Sequence, residues 1–188
     1  MKRIKLLLGM LFLLSTMSFA ETGFQFNVLD NQMPKDSSVT GLRLNLLYGK
    51  TANVSGLDLN ILALGETDNF VGVQWPLFWI GANKVNHTFK GVAWGIANLH
   101  GGESTGVLLG LVNMTHNVNG LQWGAINISD GKTTVDLGLI NISKGTTFQL
   151  GFFNMTDDLT GVQLGLINMA KTGFLPIFPF INIDGRLF

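Results

Sequence analysis

From Gly41 to Asn168 apolar and polar residues alternate within an eight-residue phrase that keeps returning. It reads Gly91-Val-Ala-Trp-Gly-Ile-Ala-Asn98, Gly106-Val-Leu-Leu-Gly-Leu-Val-Asn113, Gly120-Leu-Gln-Trp-Gly-Ala-Ile-Asn127, Thr134-Val-Asp-Leu-Gly-Leu-Ile-Asn141, Thr147-Phe-Gln-Leu-Gly-Phe-Phe-Asn154 and Gly161-Val-Gln-Leu-Gly-Leu-Ile-Asn168. A degenerate copy ends at Asn182, and the asparagines advance by 15, 14, 14, 13, 14 and 14 residues. Weaker copies begin at Gly41, Gly56 and Gly72, which makes nine clear copies. Apolar residues fill positions 2, 4 and 6, while Gly, Gln/Asp/Arg and Gly fill 1, 3 and 5. That period of two predicts β-strands with one apolar face. The linkers Met114–Asn119, Ile128–Thr134 and Met155–Thr160 are rich in Asn, Asp, Thr and Gly and read as turns. No segment beyond the N-terminus carries a helical period, so the chain reads as all-β, with tandem 14-residue repeats over 41–188, a cap strand and linker over 21–40, and a proline-containing C-terminal cap.

Two architectures suit a strand of about ten residues followed by a short turn. In a parallel β-solenoid each copy is one coil and equivalent residues stack about 4.8 Å apart. In an up-and-down outer-membrane barrel each copy is one antiparallel strand, and such strands need about 9–11 residues. Stacking favours the solenoid, because an asparagine repeated once per coil can bond its equivalents above and below as a ladder. Asn98, Asn113, Asn127, Asn141, Asn154 and Asn168 are the candidate ladder residues. The phrase departs at Pro76, at Asn45 and Asn60 in place of the second glycine, and at Tyr48, Ala63 and Trp79 in place of the turn asparagine. The ladder is therefore expected to weaken in the first three copies. Short linkers of nearly equal length and tryptophans in mid-strand also favour the solenoid, whereas the terminal Phe188 resembles a barrel assembly signal.

Lys2, Arg3 and Lys5 precede the apolar run Leu6–Leu14, and Ser18-Phe19-Ala20 offers a small-x-small cleavage site, the three parts of a secretory signal peptide over 1–20. Cleavage there leaves nine basic and twelve acidic residues, a net charge of −3, which gives no footprint for a nucleic-acid partner. With no cysteine in the chain there is no disulfide, thiolate metal site or cysteine nucleophile. Glycine, at 24 of 188 residues, is about twice its usual share because the repeat demands it at positions 1 and 5.

Candidate chemistry is sparse. His87, His100 and His116 stand in separate linkers, where stacking could bring His100 and His116 together near Glu103; solvated turn residues are the plainer reading. Asp130, Asp157 and Asp158 lack the nonapeptide spacing of calcium-binding repeats. Neither a Gly-x-Ser-x-Gly elbow nor a phosphate-binding loop occurs, so no nucleotide and no cofactor is expected. The sequons at Asn113, Asn127, Asn141 and Asn154 coincide with the ladder and read as turn chemistry, and those at Asn53 and Asn86 are read alike. Trp75, Trp94 and Trp123 share position 4 and are expected in the core, with a carbohydrate-stacking platform as the other use. Gln74, Gln122, Gln149 and Gln163 share position 3 and are expected to form a flat, solvated polar strip.

The phrase Gly161–Asn168, its copy Gly120–Asn127 and the tail Leu175-Pro-Ile-Phe-Pro-Phe-Ile-Asn182 resemble the bacterial surface-repeat proteins first described from leptospires and found in several Gram-negative groups. The resemblance covers Gly41 to about Ile183. It implies a location in the cell envelope and no catalytic residues. The expected function is a non-enzymatic, exported envelope or surface protein with a structural or adhesive role, in the periplasm, at the outer membrane or at the cell surface. Its partner would be the outer membrane or another envelope protein. The alternative is a small outer-membrane barrel acting as a channel or anchor.

Overall fold

The computed structural model describes residues 21–188 apart from Asp30, Asp36, Ala63, Phe78 and Trp79; the expected signal peptide, residues 1–20, lies outside the described residues. The strands are β1 Thr22–Val28, β2 Asn31–Met33, β3 Ser38–Asn45, β4 Tyr48–Asn60, β5 Leu64–Pro76, β6 Ala82–Trp123, β7 Ile126–Ser129, β8 Lys132–Leu137, β9 Ile140–Leu150, β10 Phe153–Ala170 and β11 Ile177–Ile183. Equivalent positions of successive copies pair in parallel: Gly41 with Gly56, Gly56 with Gly72, Gly72 with Gly91, Asn113 with Asn127, Asn127 with Asn141. The chain is thus a parallel β-solenoid of about nine turns. Parallel neighbours exclude the up-and-down barrel, whose strands must alternate in direction.

The repeat begins earlier than expected, since β1 pairs in parallel with β3, with Gln25 on Arg43 and Asn27 on Asn45. The first coil therefore lies inside the segment read as a cap. The actual ends are two reversed strands. β2 runs antiparallel to β1, and β11, the degenerate last copy, runs antiparallel to β10 with Asn182 on Gln163. Nor are the linkers mere turns: Met114–Asn119 belongs to β6 and Met155–Thr160 to β10, and each sends residues inward, Thr115 and Val118 in one coil and Thr156 and Leu159 in another.

Position 3 points into the coil and position 4 away from it, the reverse of the expectation for both columns. Gln25, Arg43, Asp58, Gln74, Gln122, Asp136, Gln149 and Gln163 are all buried, whereas Trp123 is 61% exposed. A coil of about 14 residues has a narrow lumen that takes a few large side chains, such as Phe70, Phe89 and Leu108, and has no room for the full set of Trp, Leu and Phe at positions 4 and 6. Amides fit, and stacking satisfies them: Gln163 donates to Gln149 (2.8 Å), and Gln122 and Gln149 donate to the carboxylate of Asp136 (3.0 and 3.2 Å). An apolar cluster of Val39, Val54, Phe70, Val85, Phe89, Ala93, Leu108 and Val118 occupies the lumen only up to the middle coils.

The asparagine ladder is longer than its six candidates. Side-chain amides bond without interruption from Asn27 through Asn45, Asn60, Asn83, Asn98, Asn113, Asn127, Asn141 and Asn154 to Asn168, at 2.6–2.8 Å. The first coils join it by exchanging two residues. In later coils glycine at position 5 leaves room for the asparagine at position 8: a Cβ on Gly110 would press on Asn98 and Asn113. In the early coils Asn45 and Asn60 stand at position 5 themselves, and the room is left by Gly49 and Gly65, which follow them. One corner accepts the amide and the missing side chain in either order.

Candidate functional site

The solenoid's outside divides into two sides. Positions 4–9 of the coils from Trp94 to Met169 contain no charged residue. Exposed apolar side chains line that side, among them Trp123, Leu111, Leu139, Phe152 and Leu166. The linkers carry the outer charges, and several of these pair: Lys50 and Lys84 flank Glu66 at 3.2 and 3.3 Å, and Lys171 meets Asp157 at 2.8 Å. Exposed apolar residues gathered along one side in this way make it the candidate interaction surface.

Within the apolar side runs a trough of about 1280 Å³, parallel to the solenoid axis. Glycines at position 5 from Gly95 to Gly165 form its floor. The chain bends inward there, because only a residue without a side chain can approach the asparagine ladder. The walls are position 4 (Trp94, Leu109, Trp123, Leu137, Leu150) and position 6 (Ile96, Leu111, Ala125, Leu139, Phe152, Leu166), with Phe180 of β11 at one end. The N–H groups of the floor are engaged. Gly124, Gly138 and Gly151 donate their N–H groups to the carbonyls of Leu137, Leu150 and Leu164 (2.9–3.0 Å). Asn127, Asn141 and Asn154 donate to those same carbonyls from inside (2.8–3.0 Å). A ligand in the trough meets a lining of apolar side chains, with the floor N–H groups already bonded.

The tryptophans expected in the core lie on the outside. Trp75 and Trp94 pack with their rings tilted by 58° and centroids 4.5 Å apart, and Trp94 and Trp123 line the trough. Position 4 runs Trp, Leu, Trp, Leu, Leu along it, a mixed wall more suited to hydrocarbon than to the row of aromatic platforms that sugar stacking needs. The glutamines expected as a solvated strip are in the lumen. What sequence reasoning missed was the trough itself, and its signal was the glycine column flanked by bulky residues.

The histidines do not converge into a site. His100 is buried against Phe89 (4.6 Å) with Nδ1 2.9 Å from Ser104 Oγ, and burial lowers its pKa to about 3. His116 faces outward to Asp130 at 2.7 Å, Glu103 takes a bond from Asn117, and His87 is exposed. Asp158 meets Arg186 at 3.2 Å. Among the described residues no group of three His, Cys, Asp or Glu side chains is placed to hold a metal ion. Burial raises the pKa of Asp136, against the pull of bonds from Thr133, Gln149, Gln122 and Thr146. For Glu66, burial works in the same direction but is outweighed by donors from Asn86, Lys50, Lys84 and Tyr48, which hold it at about 2. These groups face the lumen or the charged side and none lines the trough. Asn113, Asn127, Asn141 and Asn154 are buried in the ladder, which accounts for their sequons structurally; Asn53 stands on the exposed side and bonds Ser38 and Asn69.

Comparison of the chain with protein-family models, with curated proteins and with solved structures returns no match.

Proposed function

We propose that this protein is a non-enzymatic binding scaffold exported to the bacterial cell envelope, and that its solenoid presents one long apolar side to a partner. The observation that carries the reading is the division of the outside: bulky apolar side chains with a glycine-floored trough along one side, and paired charges along the other. A monomer with no partner gains nothing from so much exposed apolar surface, which favours aggregation. Export rests on the basic, apolar and small-residue parts of residues 1–20, and the envelope location on the resemblance of the repeat phrase to bacterial surface repeats.

The test is expression of the full chain in a Gram-negative host, followed by cell fractionation and mass determination of the N-terminus. The expected product begins at Glu21 and travels with the envelope fractions. A full-length product confined to the cytosol would overturn the reading.

A further inference from the structure

We infer that the trough between Trp94 and Phe180 is a binding site for a hydrocarbon chain, namely the acyl chain of a single lipid molecule. The inference deepens the scaffold reading and rests on it, since it names what the apolar side holds.

Shape supplies the first argument. Six floor glycines, from Gly95 to Gly165, stacked about 4.8 Å apart, give a length of about 24 Å. An α-helix about 10–12 Å in diameter is wider than the base of the trough and does not reach its floor. The walls rise from residues only two apart in sequence, at most about 7 Å at their bases. That suits a slender chain without branches.

Polarity supplies the second. An extended peptide would have to pair its own carbonyls as well as its N–H groups, and the floor N–H groups of Gly124, Gly138 and Gly151 are already bonded within the coils. The floor carbonyls of Leu137, Leu150 and Leu164 each already accept two donors, and no charged or hydrogen-bonding side chain lines the site apart from the indoles of Trp94 and Trp123. Strand addition is also blocked, because the trough crosses the strands at right angles and the two outer strands of the sheet, β2 and β11, lie at the ends of the solenoid. A buried amide without a partner is costly, whereas a methylene chain asks for none.

The third argument is that the trough is finite. At one end Phe180, held at φ 66° in the reversed strand β11, closes the row. At the other, the lining ends at Trp94 and Ile96. A flat bilayer has no use for a bounded trough. A second copy of the chain would rest on the wall tips and leave the trough void, forfeiting the dispersion contacts of its lining. A single acyl chain fills it.

The test titrates cis-parinaric acid, a fluorescent long-chain fatty acid, below its micellar concentration into the purified chain, with palmitate as competitor. Variants Leu139→Glu and Phe152→Glu place a charge at exposed wall positions, and Val71→Glu alters an exposed apolar residue outside the trough. Saturable uptake, displaced by palmitate, is expected for the unchanged chain and for Val71→Glu, with at least a tenfold loss in both wall variants at unaltered thermal melting. The inference is overturned if the unchanged chain takes up no fatty acid, or if the wall variants bind as well as it does. It is equally overturned if the chain binds phosphatidylcholine vesicles but not the monomeric fatty acid, or if it self-associates through a face that Leu139→Glu disrupts. A chain that is processed and sits in the envelope yet takes no fatty acid refutes the occupant and leaves the scaffold reading standing.

Discussion

The two sides of one backbone, lumen and trough, reverse the arrangement of a globular domain. Between Gln122 and Gln163 the interior holds amides, hydroxyls, the carboxylate of Asp136 and a single leucine, Leu159, while Trp123, Leu139 and Phe152 face out. A globular core excludes polar groups because it cannot pair them all. A solenoid repeats the same group every 4.8 Å or so, which gives the amides inside the ladder a donor below and an acceptor above; among the described residues, the buried amide oxygens left without a partner are those of Asn27, Gln74 and Gln163. A polar interior paired to this degree is rigid and specific. The outside is then free to carry apolar residues for a partner.

If the lumen holds the fold together and the trough does not, substitutions should separate the two. The largest effect is expected at the buried pair Arg43–Asp58, where two guanidinium bonds at 2.9 and 2.6 Å meet the carboxylate. Asp58→Ala strands a buried cation and should cost about 3–5 kcal/mol, read from the urea midpoint. Next comes the ladder. Asn127→Ala removes the acceptor of Asn113 and the donor to Asn141 and Leu137, and a loss of about 1–3 kcal/mol is expected; a silent result would show that the ladder does not support the coils.

The pH dependence follows in size. His100 is neutral in the fold, with its pKa at about 3, and titrates near 6.5 when unfolded. The unfolded chain therefore takes up the proton first, and stability falls as pH drops from about 6.5 toward 3, by at most about 1.4 kcal/mol per pH unit. His100→Gln should flatten that slope in urea midpoints measured from pH 7 to 5. Below about 4.5 a second loss is expected in both chains, because Glu66, held at about 2 in the fold, keeps its charge there while the unfolded chain begins to protonate. The smallest effect belongs to the trough: Leu139→Ser, at a position 52% exposed, should move stability by no more than about 0.5 kcal/mol while reducing dye binding to apolar surface. A large loss of stability at Leu139 would erase the distinction between the two sides.

The sequence disclosed the period, the parallel stacking and the six later ladder residues, because a fixed asparagine every 13–15 residues has few other uses. It did not disclose which face was inside. Alternation sorts residues into two sets without orienting them, and the habit of placing Trp and Leu in a core put Trp123 on the wrong side. The signals that could have corrected this were steric. A coil of 14 residues has no space for tryptophan beside leucine, and the adjacent apolar residues at positions 6 and 7, such as Leu139 and Ile140, require the bend that makes the trough. Asn45 and Asn60 depart from the phrase by sequence position, whereas the corner keeps the space shared by an amide and a glycine. The direction of β11 was hidden in the same way, for a reversed strand can keep the composition of a forward one.

The reversed strands β2 and β11 turn the molecule into a ruler. With a terminator at either end, the number of coils between them sets the span of the glycine column, and an inserted or deleted repeat would change that span in steps of about 4.8 Å without altering either terminus. Length is thus a quantity this architecture can adjust one coil at a time.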